Sequence, residues 1–302
     1  MANSAPVRRI RRPGIYRIAA ARYHSDPAPA PSLSHSIMRE LIDKSPRHAR
    51  FAHPRLNPDF EARTPTDEMV EGTVLHWLIL GAGARPVVIQ RDDFRTKEAR
   101  EARDAAHAAG RAPILAWKMA EMKKIAREVT GQLREMRDAR DFFAPGRSEV
   151  AAFWQEGPVW CRCMVDRLPT DPGAPMFDLK STDKSANPAA WERQTTERFA
   201  TQAVFYGRGI AAGEASTPRE MRFILLERKP PYGVSLISPG VTVLERAEEQ
   251  VKQAVMTWAR CLILGEWPGY PTDVQRPELA AWQLIDAALE RAATSKPLNM
   301  AA

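Results

Sequence analysis

The stretch Met164 to Lys180, MVDRLPTDPGAPMFDLK, constrains the fold more than any other part of the chain. An apolar run ends in a lone acid at Asp166, a turn rich in Pro and Gly follows, and a second apolar run ends in Asp178-Leu179-Lys180. Two short strands joined by such a turn put both acids at neighbouring strand positions. Successive strand side chains face opposite sides, so Asp178 and Lys180 share one face while Leu179 points into the core. Carboxylates this close repel each other unless a cation lies between them, and hard divalent ions such as Mg²⁺ are held through one or two carboxylates plus substrate phosphates. The grouping therefore supports metal-assisted phosphodiester hydrolysis, with a lysine to orient the nucleophile. Asp178 and Lys180 read equally as a surface ion pair on a hairpin, worth roughly 0 to 1 kcal/mol, and the surrounding residues have to decide.

The 302 residues suffice for one large domain or two small ones with a sizeable core. At 44% hydrophobic and 27% charged residues the composition is that of a globular chain. No stretch approaches the roughly 18 uninterrupted apolar residues of a membrane span, and the start MANSAPVRRIRRPG has no apolar signal core, so a cytoplasmic protein without a membrane partner is expected. A net charge of +7 favours a polyanionic partner. Cys161, Cys163 and Cys261 are too few for a disulfide framework, form no CxxC pair, and read as buried thiols.

Residues 1–32 read as a basic, partly flexible arm carrying Arg8, Arg9, Arg11 and Arg12, with PAPAPS at 27–32 as an extended linker. The arginines suit a nucleic-acid contact or a solvated terminus alike. A single domain is expected over 33–293, helical over 33–145 and built of a sheet with helices over 146–293, followed by a flexible tail at 294–302. A short helix begins near Ser34 or Ser36, and Arg47 beyond it can reach phosphates or solvent. Asp67 to Leu80 forms a helix that leaves His76 among apolar neighbours, either as a core histidine or as a metal ligand or phosphate contact. Gly72 would let this helix approach another backbone closely. Lys97 to Phe143 reads as two helices broken at 110–113.

Beyond Pro145-Gly146 the period becomes strand-like: 148–154, 159–168 and 176–181 form a meander that carries Glu149, Asp166, Asp178 and Lys180. Asn187 to Gly213 then reads as a helix that Gly207 or Gly209 could stop early. It bears Arg198, Gln202 and Tyr206 on one face, with Tyr206 either lining the site or packing in the core. Strands at 221–228 and 233–238, a long helix at 243–264 and a short one at 277–293 complete the chain.

The order His76, Glu149, Asp166, Asp178-Leu179-Lys180, Gln202 and Tyr206 resembles the RecB-type branch of the PD-(D/E)-x-K nuclease superfamily. The opening Gly14-Ile15-Tyr16, Tyr23-His24-Ser25-Asp26, Leu33-Ser34-His35-Ser36 and Ser45-Pro46 resembles the exodeoxyribonuclease VIII (RecE) nuclease domains of phages and prophages. The resemblance implies an α/β (α+β) restriction-endonuclease-like core, a central mixed sheet flanked by helices. It implies a Mg²⁺ site, with Mn²⁺ as a substitute, held by His76, Asp166, Asp178 and the Leu179 backbone carbonyl. Lys180 would orient the attacking water, Glu149 matches the upstream acid, and Gln202 with Tyr206 matches the helix motif lining the site. Val165 stands where the superfamily name has Pro. The implied activity is exonucleolytic, 5′→3′ on linear double-stranded DNA to leave 3′ single strands for phage-type recombination in a bacterial or phage-infected cell. Arg47, Arg198 and the arm arginines would touch DNA. Homo-oligomeric rings of three or four subunits and a single-strand annealing protein are the implied partners. An endonuclease of the same fold, or a DNA-binding phage protein without catalysis, would share much of this pattern.

Overall fold

The computed structural model describes residues 9–62, 64–279 and 281–294. In chain order its elements are β1 (Gly14–Tyr16), α1 (Ala20–His24), β2 (Leu33–Ser34), α2 (His35–Asp43), α3 (Pro46–Ala52), α4 (Asp67–Leu80), β3 (Pro86–Ile89), α5 (Lys97–Ala108), β4 (Ala112–Leu115), α6 (Ala116–Glu135), β5 (Gly146–Glu156), β6 (Val159–Pro169), β7 (Met176–Thr182), α7 (Glu192–Gln194), α8 (Ala200–Glu214), β8 (Met221–Glu227), β9 (Val234–Ile237), α9 (Val241–Leu264) and α10 (Ala281–Thr294). The described residues divide into two compact units at Pro268/Gly269, the second containing α10.

The first unit is built on a mixed sheet in the order β1-β5-β6-β7-β8-β9. Gly157, at φ 57, closes the two-residue turn of the β5–β6 hairpin, which pairs from Gly146↔Pro169 to Glu156↔Val159. The next junction is different. β6 and β7 share the single pair Arg167↔Phe177 and then part, while β2 pairs in parallel with the other half of β6 at Leu33↔Cys161 and Ser34↔Arg162. The sheet therefore forks between β6 and β7. β7 continues in parallel register with β8, Asp178 opposite Phe223 and Lys180 opposite Leu225.

Alternation along the strands supplies both faces with apolar side chains. One face carries Trp154, Cys161, Cys163, Val165 and Phe223 against α2, α8 and α9, with Trp258 fully buried. The other carries Phe177, Leu179, Ile224 and Leu226 against α4 and α6. At its β5 end this second face is covered by the N-terminal segment instead, where Ile10, Tyr23 and Ala28 pack on Ala151, Phe153 and Trp160.

Residues 9–32 thus differ from the expected arm and linker. Asp26, 3% exposed, accepts from the Ser32 N–H at 2.9 Å and the Ser32 hydroxyl at 2.5 Å, and lies 3.1 Å from the Arg162 guanidinium of β6. His53 Nε2 lies 3.3 Å from the same carboxylate. A buried charge needs such partners, and they hold the proline-rich stretch against the sheet. Arg8 and the tail 295–302 lie outside the described residues.

Two other expectations are corrected. The break at 110–113 is the start of strand β4, paired in parallel with β3 from Pro86↔Ala112 to Ile89↔Leu115. The helix over 187–213 is a succession: a 3₁₀ turn at Pro188–Trp191, α7, a π turn at Thr195–Phe199, and α8 running on to Glu214. α8 runs through Gly207 and Gly209 and ends at Glu214, one residue past the expected Gly213. Cβ atoms at Gly209 and Gly213 would stand 2.6 Å from the Trp154 ring and 2.5 Å from Ile15, so these glycines let the helix lie close on the sheet. At Gly72 a Cβ would sit 3.5 Å from Ser181 Oγ, an ordinary contact, so close approach does not require this glycine. Among the described residues no helix is long and apolar enough to cross a membrane.

Candidate metal centre at the strand fork

α4 places the first ligand candidate. Thr66 Oγ1 accepts the Met69 N–H, Asp67 and Glu68 favour the positive helix start, and Gly81 ends the helix at φ 68. Within this helix Val70, Val74 and Leu75 are buried, and His76 reaches the middle of β7. His76 Nε2 lies 3.2 Å from the Leu179 carbonyl oxygen and Nδ1 lies 3.7 Å from Asp166 Oδ2. With the proton on Nε2 donated to that carbonyl, the Nδ1 lone pair faces the acid.

Asp166 sits in the fork. Its Oδ2 accepts the Leu179 N–H at 2.8 Å, substituting for the strand partner that β7 loses where it leaves β6. Burial, and then the neighbouring Asp178, push its carboxyl up to about 7; the nearby His76 ring and the Lys180 ammonium pull the other way. On β5 the register sets Glu149 across from Asp166, between Ser148↔Arg167 and Val150↔Val165. Glu149 has φ 53, a left-handed conformation that is strained for a side chain of this size, and burial raises its carboxyl too.

Asp178 faces α8. Gln202 Nε2 donates to Asp178 Oδ1 at 2.6 Å, and Lys180 Nζ lies 2.5 Å from Oδ2, an ion pair without hydrogen-bond alignment that leaves this buried oxygen no aligned donor. Lys180 Nζ stands 5.8 Å above the rings of Phe199 and Phe223, which fix its stem. The Tyr206 ring packs edge-on against His35 at 6.2 Å, and burial drives its hydroxyl pKa well up.

One ligand atom each from His76, Glu149 and Asp166 lies within 4.8 Å of the others. Two acids and a histidine around one gap, both carboxyls pushed above the usual carboxylate range by burial, fit a divalent cation that would neutralise the acids. Asp178 stands one step away, held by Lys180 and Gln202, and the Leu179 carbonyl faces His76.

The other residues singled out in the sequence lie apart from the fork. Arg198 is exposed and 3.6 Å from Asp43, and Arg47 is exposed on α3. Arg9 donates to the Pro29 carbonyl at 2.7 Å, while Arg11 and Arg12 are exposed. His35, part of the Leu33-Ser34-His35-Ser36 motif but not among the expected site residues, has its Nε2 3.1 Å from Thr201 Oγ1. Burial and the cations Lys180, Arg39 and Arg198 push its imidazole down to about 3, so it is neutral. Its position in Ser34-His35-Ser36, where Ser34 caps α2, was the only local signal.

A mixed, helix-flanked sheet with paired acids and a lysine at a strand fork defines a PD-(D/E)-x-K-type, nuclease-like domain. Comparison with known families agrees: residues 92–276 match the PDDEXK-like domain of unknown function (DUF3799), and the chain belongs to that family. The match begins beyond α4, so His76 precedes it. Among solved structures, a crystal structure from Eubacterium rectale described as a "putative exonuclease" superposes with a TM-score of 0.53 at 11% identity, covering 89% of this chain and 98% of the other. At that identity the likeness is one of fold. No curated protein matches the chain by sequence.

Proposed function

We propose that the chain is a divalent-metal-dependent deoxyribonuclease. The observation that carries this reading is the fork, where Asp166 and Glu149 meet His76 on one side and Asp178 holds Lys180 on the other. His76, Glu149 and Asp166 would hold the ion, with Asp178 adjoining. When bound, a divalent ion there activates water and steadies the charge on the leaving oxygen. Lys180, kept beside Asp178 and above two aromatic rings, orients the attacking water, and Gln202 keeps Asp178 from turning away.

The finer reading is an exonuclease, 5′→3′ on linear duplex DNA, with Mg²⁺ as the natural ion and Mn²⁺ as a substitute. Its support is the resemblance of the N-terminal motifs through Ser34-His35-Ser36 to phage recombination nucleases. An oligomeric ring and an annealing partner belong to the same reading. The test uses linear duplex labelled at either end and covalently closed circular DNA, each with Mg²⁺, with EDTA and with Lys180→Ala. Metal-dependent loss of the linear substrate alone, abolished by the substitution, is the expected result, and the two labels give direction. Cutting of the circle would replace the exonuclease by an endonuclease, and tight binding without hydrolysis of either substrate would leave a binding protein.

A further inference from the structure

The second face of the sheet is covered in two pieces, the N-terminal segment and α4 with its following turn. Between them lies a cavity of about 460 Å³, within the range that takes a small ligand. Ser148 and Glu149 line it as well, so it shares the Glu149 side chain with the candidate metal centre. One wall is Arg17 to Ala21, and the other is Trp77 with Gly81 to Arg85. Close to the acid the wall is bare backbone. Gly83 has φ 99, and a Cβ there would stand 3.4 Å from the Glu149 carboxylate.

Trp77 is the unusual member. Its neighbours Leu78, Ile79 and Leu80 pack in the hydrophobic cluster under α4 and α6, whereas Trp77 joins no cluster. Its ring stacks on no described aromatic residue, and its indole N–H donates to no described residue. A large half-buried ring on a cavity wall, outside the hydrophobic clusters and unstacked, offers an aromatic surface to whatever enters. Arg17 and Arg85 at the rim are exposed, and neither forms an ion pair with a described residue. Among the described residues Glu149 is the only acid in the lining. An aromatic face, two free cations at the mouth and an anion-neutralising metal centre that shares Glu149 match the chemistry of one nucleotide: a base to stack and phosphates on either side.

We infer that this cavity receives the nucleotide adjoining the cleaved phosphate, with its base stacked on Trp77 and its flanking phosphate between Arg17 and Arg85. The inference rests on the deoxyribonuclease reading and adds the residue that grips the strand.

The experiment pairs protein variants with a substrate lesion. Linear duplexes carry a single abasic residue at each of the first four nucleotides in turn, and KM and kcat are measured with Mg²⁺ for wild type, Trp77→Phe and Trp77→Ala. Binding of the same duplexes is followed by fluorescence anisotropy in EDTA, and melting temperatures check folding. For wild type, one abasic position raises KM and weakens binding by about ten-fold, the size of one lost stacking contact. Trp77→Ala shows the same loss on intact DNA and no further loss at that abasic position, while Trp77→Phe retains most of the affinity. Equal sensitivity of wild type and Trp77→Ala to every abasic position would overturn the inference; if Trp77→Ala melts early, the same comparison is made with Trp77→Leu. Failure of wild type to cut any DNA would refute the nuclease reading instead, and the anisotropy series would still decide the cavity.

Discussion

Asp166 Oδ2 accepts the backbone N–H of Leu179 at 2.8 Å, so a side chain of β6 replaces the ladder bond that β7 gives up as the two strands part. The bond ties the carboxylate to the place where the sheet opens. It also accounts for an acid this buried tolerating Asp178 beside it, because the cost appears as a raised proton affinity.

That cost sets a pH dependence. In the folded protein Asp166 keeps its proton up to about 7, whereas the unfolded chain loses it near 3.8. Between these values the folded state binds more protons, so this group makes stability fall as pH rises, and the fall ends above about 7. Thermal melts in EDTA from pH 5 to 8 should show a decline that Asp166→Asn makes shallower, the remainder belonging to the raised Glu149 carboxyl. Mg²⁺ should restore the wild-type melting temperature most at pH 8, where the carboxylate is free to bind it. An identical pH profile for wild type and Asp166→Asn would refute this account.

Gln202 is predicted to act through Asp178. Its amide donates to Oδ1 at 2.6 Å inside the core, and the other oxygen already lacks an aligned donor. Gln202→Ala leaves a buried carboxylate with an unsatisfied oxygen, at about 1–3 kcal/mol. Supporting contacts of this kind typically affect metal affinity by about 10–100-fold. Calorimetric titration with Mn²⁺ should show weakened binding, with Gln202→Glu worse than Gln202→Ala because a second anion replaces the donor.

Much of this centre was legible in the sequence because its determinants are local. The strands that carry Asp166 and Asp178 read as apolar runs interrupted by single acids, and the α4 boundaries at Asp67 and Leu80 follow from a Thr66 cap and a Gly81 stop. What the sequence hid depends on distant partners. The fork exists because β2, only two residues long and some 130 positions before its partner on β6, takes the place beside that strand. The β3–β4 pair was masked because Ala112-Pro113 reads as a helix break. The positive φ of Glu149 has no signature in a non-glycine residue. The cavity beside Trp77 needs three segments that only the fold assembles.

The N-terminal segment provides a stability test of opposite sign. Burial alone would raise the Asp26 carboxyl, but the His53 hydrogen bond, the Arg162 charge and Ser32 together hold it at about 2. Its contribution is present above 3.8 and is lost as pH falls through about 2. Asp26→Ala leaves the Arg162 guanidinium, 4% exposed, without its anion, and one-sided removal of a buried pair costs about 3–5 kcal/mol. Urea unfolding should show that loss, together with early proteolysis within residues 9–32, while Arg9→Ala, at an exposed contact, should change stability little.

Gly83 connects strain to the site. At φ 99 a side chain is disfavoured, and the added Cβ of Gly83→Ala would press on the Glu149 carboxylate from 3.4 Å. Glu149 cannot easily yield, since its own backbone is held at φ 53 on a strand paired on both sides of it. The substitution should therefore displace a ligand candidate rather than unfold the protein, whose core lies elsewhere. The expected result is a modest fall in melting temperature, a loss of Mn²⁺ affinity of about ten-fold or more, and a matching fall in metal-dependent DNA cleavage. Gly157→Ala is the control: it also carries a positive φ, 57, but has open space around its Cβ and lies at the far end of the hairpin. It should lower stability without changing metal affinity. Equal metal affinities for the two variants would remove Glu149 from the metal centre.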